Sequence, residues 1–287
     1  MTRRHIGWAF ALAGVLLVSL DALWVRWSEL SGWEASILAS IFALPMYLVL
    51  GRVFDDKGPV TTFKVAPRAL LTISVLAATS QISFISALTR TSVANVAIMV
   101  GAVPITASIA GWLIAKERPS RRVLIAVIVV FIGIVIVMGG SVGEPRLGGD
   151  LLSLLAVTSF SINLALWRRN VDASRYVALA LSSVIVIAVA AVFASPFGHE
   201  PRAYLALGAM GLIANSWGRV LNTTATKYVS ASEVGLFTPI ETVAASAWGW
   251  LAFSEVPAVA TWIGGGLILA AVVYGTILGR HDADLGA

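Results

Sequence analysis

Several side chains capable of chemistry stand inside apolar runs of this chain: Asp21, Trp24, Gln81, Asn163, Trp167, Asn215, Arg219, Asn222 and Glu241. A charged group at the centre of a membrane span costs about 2.5–3.5 kcal/mol on insertion scales, so such residues face a cavity or a partner. Asp21 reads as a proton-titrating or cation-contacting carboxylate, or else as a helix-packing group satisfied by neighbouring hydroxyls or Arg26. Glu241 lies just beyond Pro239, where a missing amide donor and a bend free backbone carbonyls toward a cavity. Asn215, Arg219 and Asn222 recur at i, i+4, i+7 on one helical face that continues through Gly208 and Gly211. That face lines either a cavity or a tightly paired interface. At 1.5 Å per residue, Glu241 is about 16 Å and Arg219 about 10 Å deep from the inner side, which brings an ion pair within reach. Asn163 with Trp167 one turn later repeats Asp21 with Trp24 in neutral form. Indole faces beside a carboxylate suit a cationic or aromatic ligand; the competing reading is an interfacial tryptophan belt.

Other chemistries lack their parts. Cysteine is absent, and His5, His199 and His281 sit near termini or in a loop, so no thiol chemistry, metal site or cofactor is expected. There is no Gly-x-Ser-x-Gly elbow, no Gly-x-x-x-x-Gly-Lys loop and no His-Glu-x-x-His, so the sequence does not read as an enzyme. "LGGD" at Leu147 to Asp150 has Leu where an intramembrane aspartyl protease needs Gly.

The elements that must position these groups follow from composition. Of 287 residues, 58% are hydrophobic and 12% charged, whereas soluble domains carry about 25% charged residues. Crossing about 30 Å of hydrocarbon takes roughly 20 apolar residues as a helix. The runs predict ten spans: Ile6 to Val25, Ser36 to Leu50, Ala69 to Leu88, Val93 to Ala115, Val123 to Gly140, Leu151 to Trp167, Tyr176 to Ala194, Ala203 to Gly218, Val234 to Phe253 and Ala258 to Leu278. Continuous apolarity without alternation excludes barrel strands, and no polar stretch is long enough for a soluble domain. Met1 to Arg4 reads as the start of a retained first span, because Asp21 and Arg26 occupy the region of a cleavage site. The net charge of +5 is topological. An internal N-terminus places Arg52, Arg68, Arg118, Arg121, Arg122 and most other basic residues in the cytoplasm, leaving Arg26, Arg90, Arg146 and Arg202 outside. A nucleic-acid partner is not expected; the partners are the lipid bilayer, a small-molecule substrate and protons.

The chain also repeats itself. "GWLIAKERP" at Gly111 to Pro119 returns as "GWLAFSEVP" at Gly249 to Pro257, a shift of 138, and "SVANVA" from Ser92 returns as "SASEVG" from Ser230 at the same shift. "ALW" at Ala22 recurs at Ala165, a shift of 143. Each repeat holds five spans, an odd number, so the second copy enters the membrane from the opposite side. The expected fold class is therefore an all-α integral membrane protein of ten transmembrane helices, arranged as two inverted five-helix repeats over residues 1–140 and 150–280. Inverted repeats are the architecture of alternating access. Gln81 is the symmetry mate of Arg219. Glu117 and Glu255, each ending a span, and Asn95 and Glu233, equivalent under the shift, read as capping or gating groups.

Pro104 within "GAVPITASIAGWLIAKERP", "GGDLLSLLA" opening the sixth span and "EVGLFTPIETVAASAWGWLAFSEVP" in the ninth resemble the drug/metabolite transporter superfamily, and more closely its EamA-type permeases. The likeness covers essentially the whole chain. It implies movement of amino acids, nucleobases, nucleosides or other metabolites, often outward. One departure is that the family often has Pro where Thr242 stands; here Pro239 lies one turn earlier. The expectation is a secondary, proton-coupled exporter of a small polar metabolite such as an amino acid, in the inner membrane with both termini cytoplasmic. Export of organic cations or nucleobases is the alternative within that class, and a non-transporting scaffold or sensor the alternative outside it.

Overall fold

A backbone surrounded by apolar side chains must close its own hydrogen bonds, and helix is the outcome along this chain. The computed structural model describes residues 2–55, 67–91, 96, 99–138, 147–253 and 259–276, and regular structure within them is helical. In the first half, α1 (Arg3–Val18) and α2 (Asp21–Ser28) are followed by α3 (Gly32–Phe54), α4 (Pro67–Leu88), α5 (Val103–Ala110) and α6 (Arg121–Met138). The second half holds α7 (Leu147–Arg169), α8 (Arg175–Ala190), α9 (Pro201–Ala209), α10 (Arg219–Ala225), α11 (Ala231–Phe237), α12 (Ile240–Phe253) and α13 (Val259–Thr276). Among the described residues, four helices are long and apolar enough to cross a membrane: Arg3–Ser28, Gly32–Phe54, Pro67–Leu88 and Leu147–Arg169. Val103–Ala115, Arg175–Ala190 and Trp262–Gly275 are apolar but shorter. Leu48, Ile128, Leu251 and Trp262 are exposed on the outside, as lipid-facing side chains must be.

Local chemistry sets the ends and breaks. Ser31 and Ser230 open α3 and α11 with capping boxes, their hydroxyls accepting from the amides of Glu34 and Glu233 while those carboxylates turn back to the cap. Pro201 occupies the first turn of α9, where its missing amide is harmless. The first span is not continuous. The Ser19 hydroxyl donates to the Leu16 carbonyl, a back-bond that bends helices, and the chain turns at Ser19 and Leu20 before α2 begins at Asp21. Thr238 and Pro239 interrupt the path between α11 and α12, because proline has no amide to donate. Gly111–Ala115 after α5 and Met210–Gly218 after α9 are π-helical. In the second of these the Ser216 hydroxyl donates to the Gly211 carbonyl five residues back.

The packing follows the repeat. α4 lies on α7 as α10 lies on α1; α5 meets α7 as α11 and α12 meet α1; α4 meets α8 as the π segment of Met210–Gly218 meets α3. The pairs α3 with α8, α5 with α11, and α6 with α13 exchange with themselves. Contacts also give directions. Arg4 meets Glu233 and Ser19 meets Trp248, so α1 runs parallel to the α11–α12 path. Gly14 abuts Asn222 while Gly218 abuts Val18, so α1 runs antiparallel to α10. A Cβ at Gly14 would come within 2.8 Å of the Gly218 carbonyl, so glycine is what lets these two backbones touch. α4 and α7 are antiparallel, through Ser80 with Ala156 and Ile73 with Asn163. α5 and α7 are parallel, through Thr106 with Ser161 and Glu117 with Arg168. Gly111 against Ala231 and Gly235 against Ala107 make α5 and α11 antiparallel. The largest apolar cluster joins these elements through Val15, Ala107, Val130, Leu236 and Ile268.

Candidate functional site

A cavity opens between two groups of helices, each packed among its own members. From α1, α2, α10 and the α11–α12 break come Val15, Val18, Asp21, Arg219, Asn222, Thr223, Thr238 and Glu241. From α4, α5 and α7 come Ala77, Ser80, Gln81, Phe84, Val103, Ala156, Val157, Phe160 and Asn163, with Val100 preceding α5 and Leu179 from α8 completing the lining. The three charged residues all belong to the first group. The second offers neutral amides and two phenyl rings. Four lining pairs from the third and fourth spans of the first repeat and their counterparts are equivalent under the 138-residue shift: Gln81 with Arg219, Phe84 with Asn222, Val100 with Thr238, and Val103 with Glu241. At each, the repeat has placed the more polar residue in the second copy, so a symmetric scaffold encloses a chemically polarised space.

Arg219 is the centre of the charged wall. Its Nε donates to Asn215 Oδ1 at 2.7 Å, one turn back on the same face. The Asn215 carbonyl, in the π segment, accepts from the buried Tyr47 hydroxyl at 2.6 Å. Tyr47 therefore ties α3 to the stretch that aims Arg219. The ion pair that sequence counting brings within reach does not form: among the described residues no carboxylate lies within 4.0 Å of the guanidinium. Arg219 nevertheless acts electrostatically on both Asp21 and Glu241, and Asp21 acts on Glu241. Asp21 is 1% exposed, and its Oδ1 has no hydrogen-bond partner. Asn222 Oδ1 and Thr238 Oγ1 are likewise buried without partners. A polarised wall carrying a fixed cation, two carboxylates and unpartnered oxygens can bind a polar ligand and exchange protons with it.

Asp21, Gln81, Asn163, Arg219, Asn222 and Glu241 are thus brought together. Gln81 donates to the Ser40 hydroxyl at 3.0 Å, and Asn163 donates to the Ile73 carbonyl at 2.7 Å. Trp24, Trp167 and Asn215 do not line the cavity. Asn215 stands behind Arg219 as its holder. The Trp24 ring packs beside Trp27 at 6.0 Å. Trp167 is fully buried beneath the Arg175 guanidinium, 5.1 Å from the ring centre, so the paired tryptophans do not flank one ligand. Sequence reasoning missed Phe84 and Phe160, one turn from Gln81 and Asn163 and on the same faces. It also missed Ser80 and Thr238, neighbours of Gln81 and Pro239.

The other predicted polar groups form ties between elements. Glu117 accepts from Arg168 Nε at 2.6 Å, and Arg168 also donates to the Thr226 and Lys227 carbonyls. Glu233 accepts from Arg4 at 2.6 Å and from the Trp8 indole at 3.4 Å. Asn95 and Glu255 lie outside the described residues. In the turn after α10, partial burial and the neighbouring Arg175 hold the Lys227 ammonium below its usual range. Among the described residues, no cluster of His, Asp and Glu could hold a metal ion.

A crystal structure of a protein superposes with a TM-score of 0.83 over 97% of this chain and 98% of its own, at 16% sequence identity, which shows a shared fold. No curated protein is significantly similar in sequence. The model of the EamA-like transporter family matches twice, over residues 5–139 and 147–276. These two matches take in nearly all of the cavity-bearing helices, and their members are membrane transporters rather than enzymes: the chain belongs to the EamA-like transporter family.

Proposed function

We propose that the protein is a secondary active exporter in the inner membrane that moves a small zwitterionic metabolite, best represented by an amino acid with an apolar side chain, by alternating access. One observation carries the substrate class: Arg219 faces the cavity with no carboxylate within 4.0 Å among the described residues, on the wall that also holds Asp21 and Glu241, while Phe84 and Phe160 stand in the other group of lining helices. A substrate carboxylate meets Arg219, its ammonium meets Asp21 or Glu241, and its side chain lies toward the phenyl rings. Charge-assisted hydrogen bonds of this kind are about twice as strong as neutral ones.

The mechanism reads the chain as ten spans in two inverted repeats, residues 1–140 and 150–280, with both termini cytoplasmic. Its support is directional: α1 parallel to α11–α12, α5 antiparallel to α11, and α7 parallel to α5, which together set α7, opening the second repeat, against the direction of α1. Exchange of the two halves' conformations would then expose the cavity to either side in turn. Without a nucleotide-binding loop, a gradient supplies the energy, and Asp21 is the proposed proton carrier.

A second reading, export of a small organic cation, is favoured by the balance of two carboxylates against one guanidinium in the cavity. Proteoliposome counterflow separates the two. L-leucine is expected to exchange, and to be inhibited less by isoamylamine or 4-methylpentanoate than by unlabelled leucine or another apolar amino acid. Preference for the amine alone would favour the cation reading; exchange of none of these, nor of any amino acid, would remove the zwitterion reading.

A further inference from the structure

Two buried donors lie one helical turn inward of the cavity and belong to no part of the site described so far. Arg175, at the start of α8, is 3% exposed. Its Nε donates to the Thr223 carbonyl at 3.3 Å, and its Nη1 donates to the Val171 and Ala173 carbonyls at 2.8 and 3.0 Å. Its Nη2 is buried and has no partner. The Trp167 indole nitrogen, beneath the same guanidinium, is also buried and has no partner. Among the described residues no carboxylate lies within 4.0 Å of Arg175; Asp172 acts on it only at longer range.

The position of this pair gives it meaning. Asn163, Leu179 and Thr223 line the cavity. Trp167 is one turn beyond Asn163 on α7, Arg175 is one turn before Leu179 on α8, and the Nε edge of the guanidinium, which its free Nη2 shares, faces Thr223. Thr223 in turn donates its hydroxyl to the Arg219 carbonyl at 2.8 Å. The Thr223 carbonyl that holds Arg175 lies about one helical turn, roughly 5 Å, beyond the Arg219 backbone along α10, on the side where α7 ends and α8 begins, while the Arg219 side chain reaches back the other way to Asn215. Two buried donors without acceptors are unfavourable unless an acceptor reaches them in some state of the protein. The free Nη2 of a buried guanidinium suits a carboxylate, and the indole ring stacked beneath it carries a second donor without an acceptor.

We propose that Arg175 and Trp167 form an inner subsite for the carboxylate of the transported molecule, which passes between Arg175 and Arg219 as the inner side opens. This rests on the reading of Arg219 as the carboxylate site of the central cavity.

The test uses the full chain in nanodiscs, with phenylglyoxal as an arginine-directed reagent and peptide mass spectrometry reading Arg175 and Arg219 separately. The probes are 4-methylpentanoate, L-leucine and isoamylamine. The two carboxylates are expected to slow modification of Arg175 at least threefold and isoamylamine to leave it unchanged. Trp167→Phe, which keeps the ring under Arg175 and deletes the indole N–H, is expected to lose most of the protection at Arg175 and keep it at Arg219. Protection at Arg219 alone, no modification of Arg175 under any condition, or equal protection by the amine would overturn the inner subsite. Protection at Arg175 without Arg219 would instead remove the central reading, and protection at neither removes both.

Discussion

The Trp248 indole nitrogen donates to the Ser19 hydroxyl at 2.8 Å, joining α12 in the second half of the chain to the turn that immediately precedes Asp21. The Arg4–Glu233 pair lies one span-length away along the same two paths with the same sequence separation of 229. The two contacts clamp the first span in register against the α11–α12 path, with Glu241 between them on the second path and Asp21 just beyond Ser19 on the first.

Trp248→Phe removes one donor and keeps the ring. A hydrogen bond of this type contributes about 1 kcal/mol net, so the thermal midpoint of the detergent-solubilised protein is expected to fall by about 2 °C. Because the bond fixes the turn before Asp21, the apparent proton dependence of transport is also expected to shift. An unchanged midpoint together with an unchanged pH profile would show that the contact positions nothing.

Arg219→Gln is expected to weaken binding of carboxylate-bearing substrates by about 10- to 100-fold, from the roughly 1.5–3 kcal/mol of a hydrogen bond to a charged group. Arg219→Lys keeps the charge and loses the planar fork, so it should fall between the two. Competition binding with L-leucine and with isoamylamine checks the assignment: a carboxylate site loses affinity for the first and not for the second.

Much of this arrangement was legible in the sequence, for identifiable reasons. The 138-residue repeat forces equivalent depths, so Gln81 and Arg219 reach one cavity, and the i, i+4, i+7 row places Asn215 and Asn222 on the Arg219 face. The tryptophans were not legible in the same way. A one-turn spacing from Asn163 says which face Trp167 is near, but only the incoming loop that brings Arg175 over the ring decides which way it packs. The break at Ser19 was equally hidden: neither Pro nor Gly marks it, and its cause is a hydroxyl turned back on the preceding turn. The missing Arg219–Glu241 ion pair shows the limit of axial counting, which gives depth and not azimuth.

Asp21→Asn removes the proposed proton carrier while keeping the shape of the side chain. Wild-type transport in proteoliposomes is expected to respond to an imposed pH gradient, and the variant to exchange substrate without responding. Equal responses in both would assign the proton elsewhere, with Glu241 the next group to replace.

Gly218→Leu addresses the packing that holds Arg219 in place. A Cβ at this position already comes within 2.8 Å of Val18 and 3.1 Å of the Gly14 carbonyl, so a larger side chain must push α1 and α10 apart. Overpacking of this kind costs about 1–3 kcal/mol or more, and both the folded yield and the thermal midpoint are expected to drop. Gly148→Leu, at a position with open space around it, is the control and should leave both close to wild type.

The central claim is that the two halves of the chain lie upside down relative to each other around a shared chamber. The chain has no cysteine of its own, so single cysteines at Ser120 and Ala258, equivalent under the 138-residue shift, can be probed with a membrane-impermeant maleimide in intact cells and in inverted vesicles. The account predicts that Ala258→Cys reacts from outside and Ser120→Cys only from the cytoplasmic side. Reaction of both from the same face would contradict it.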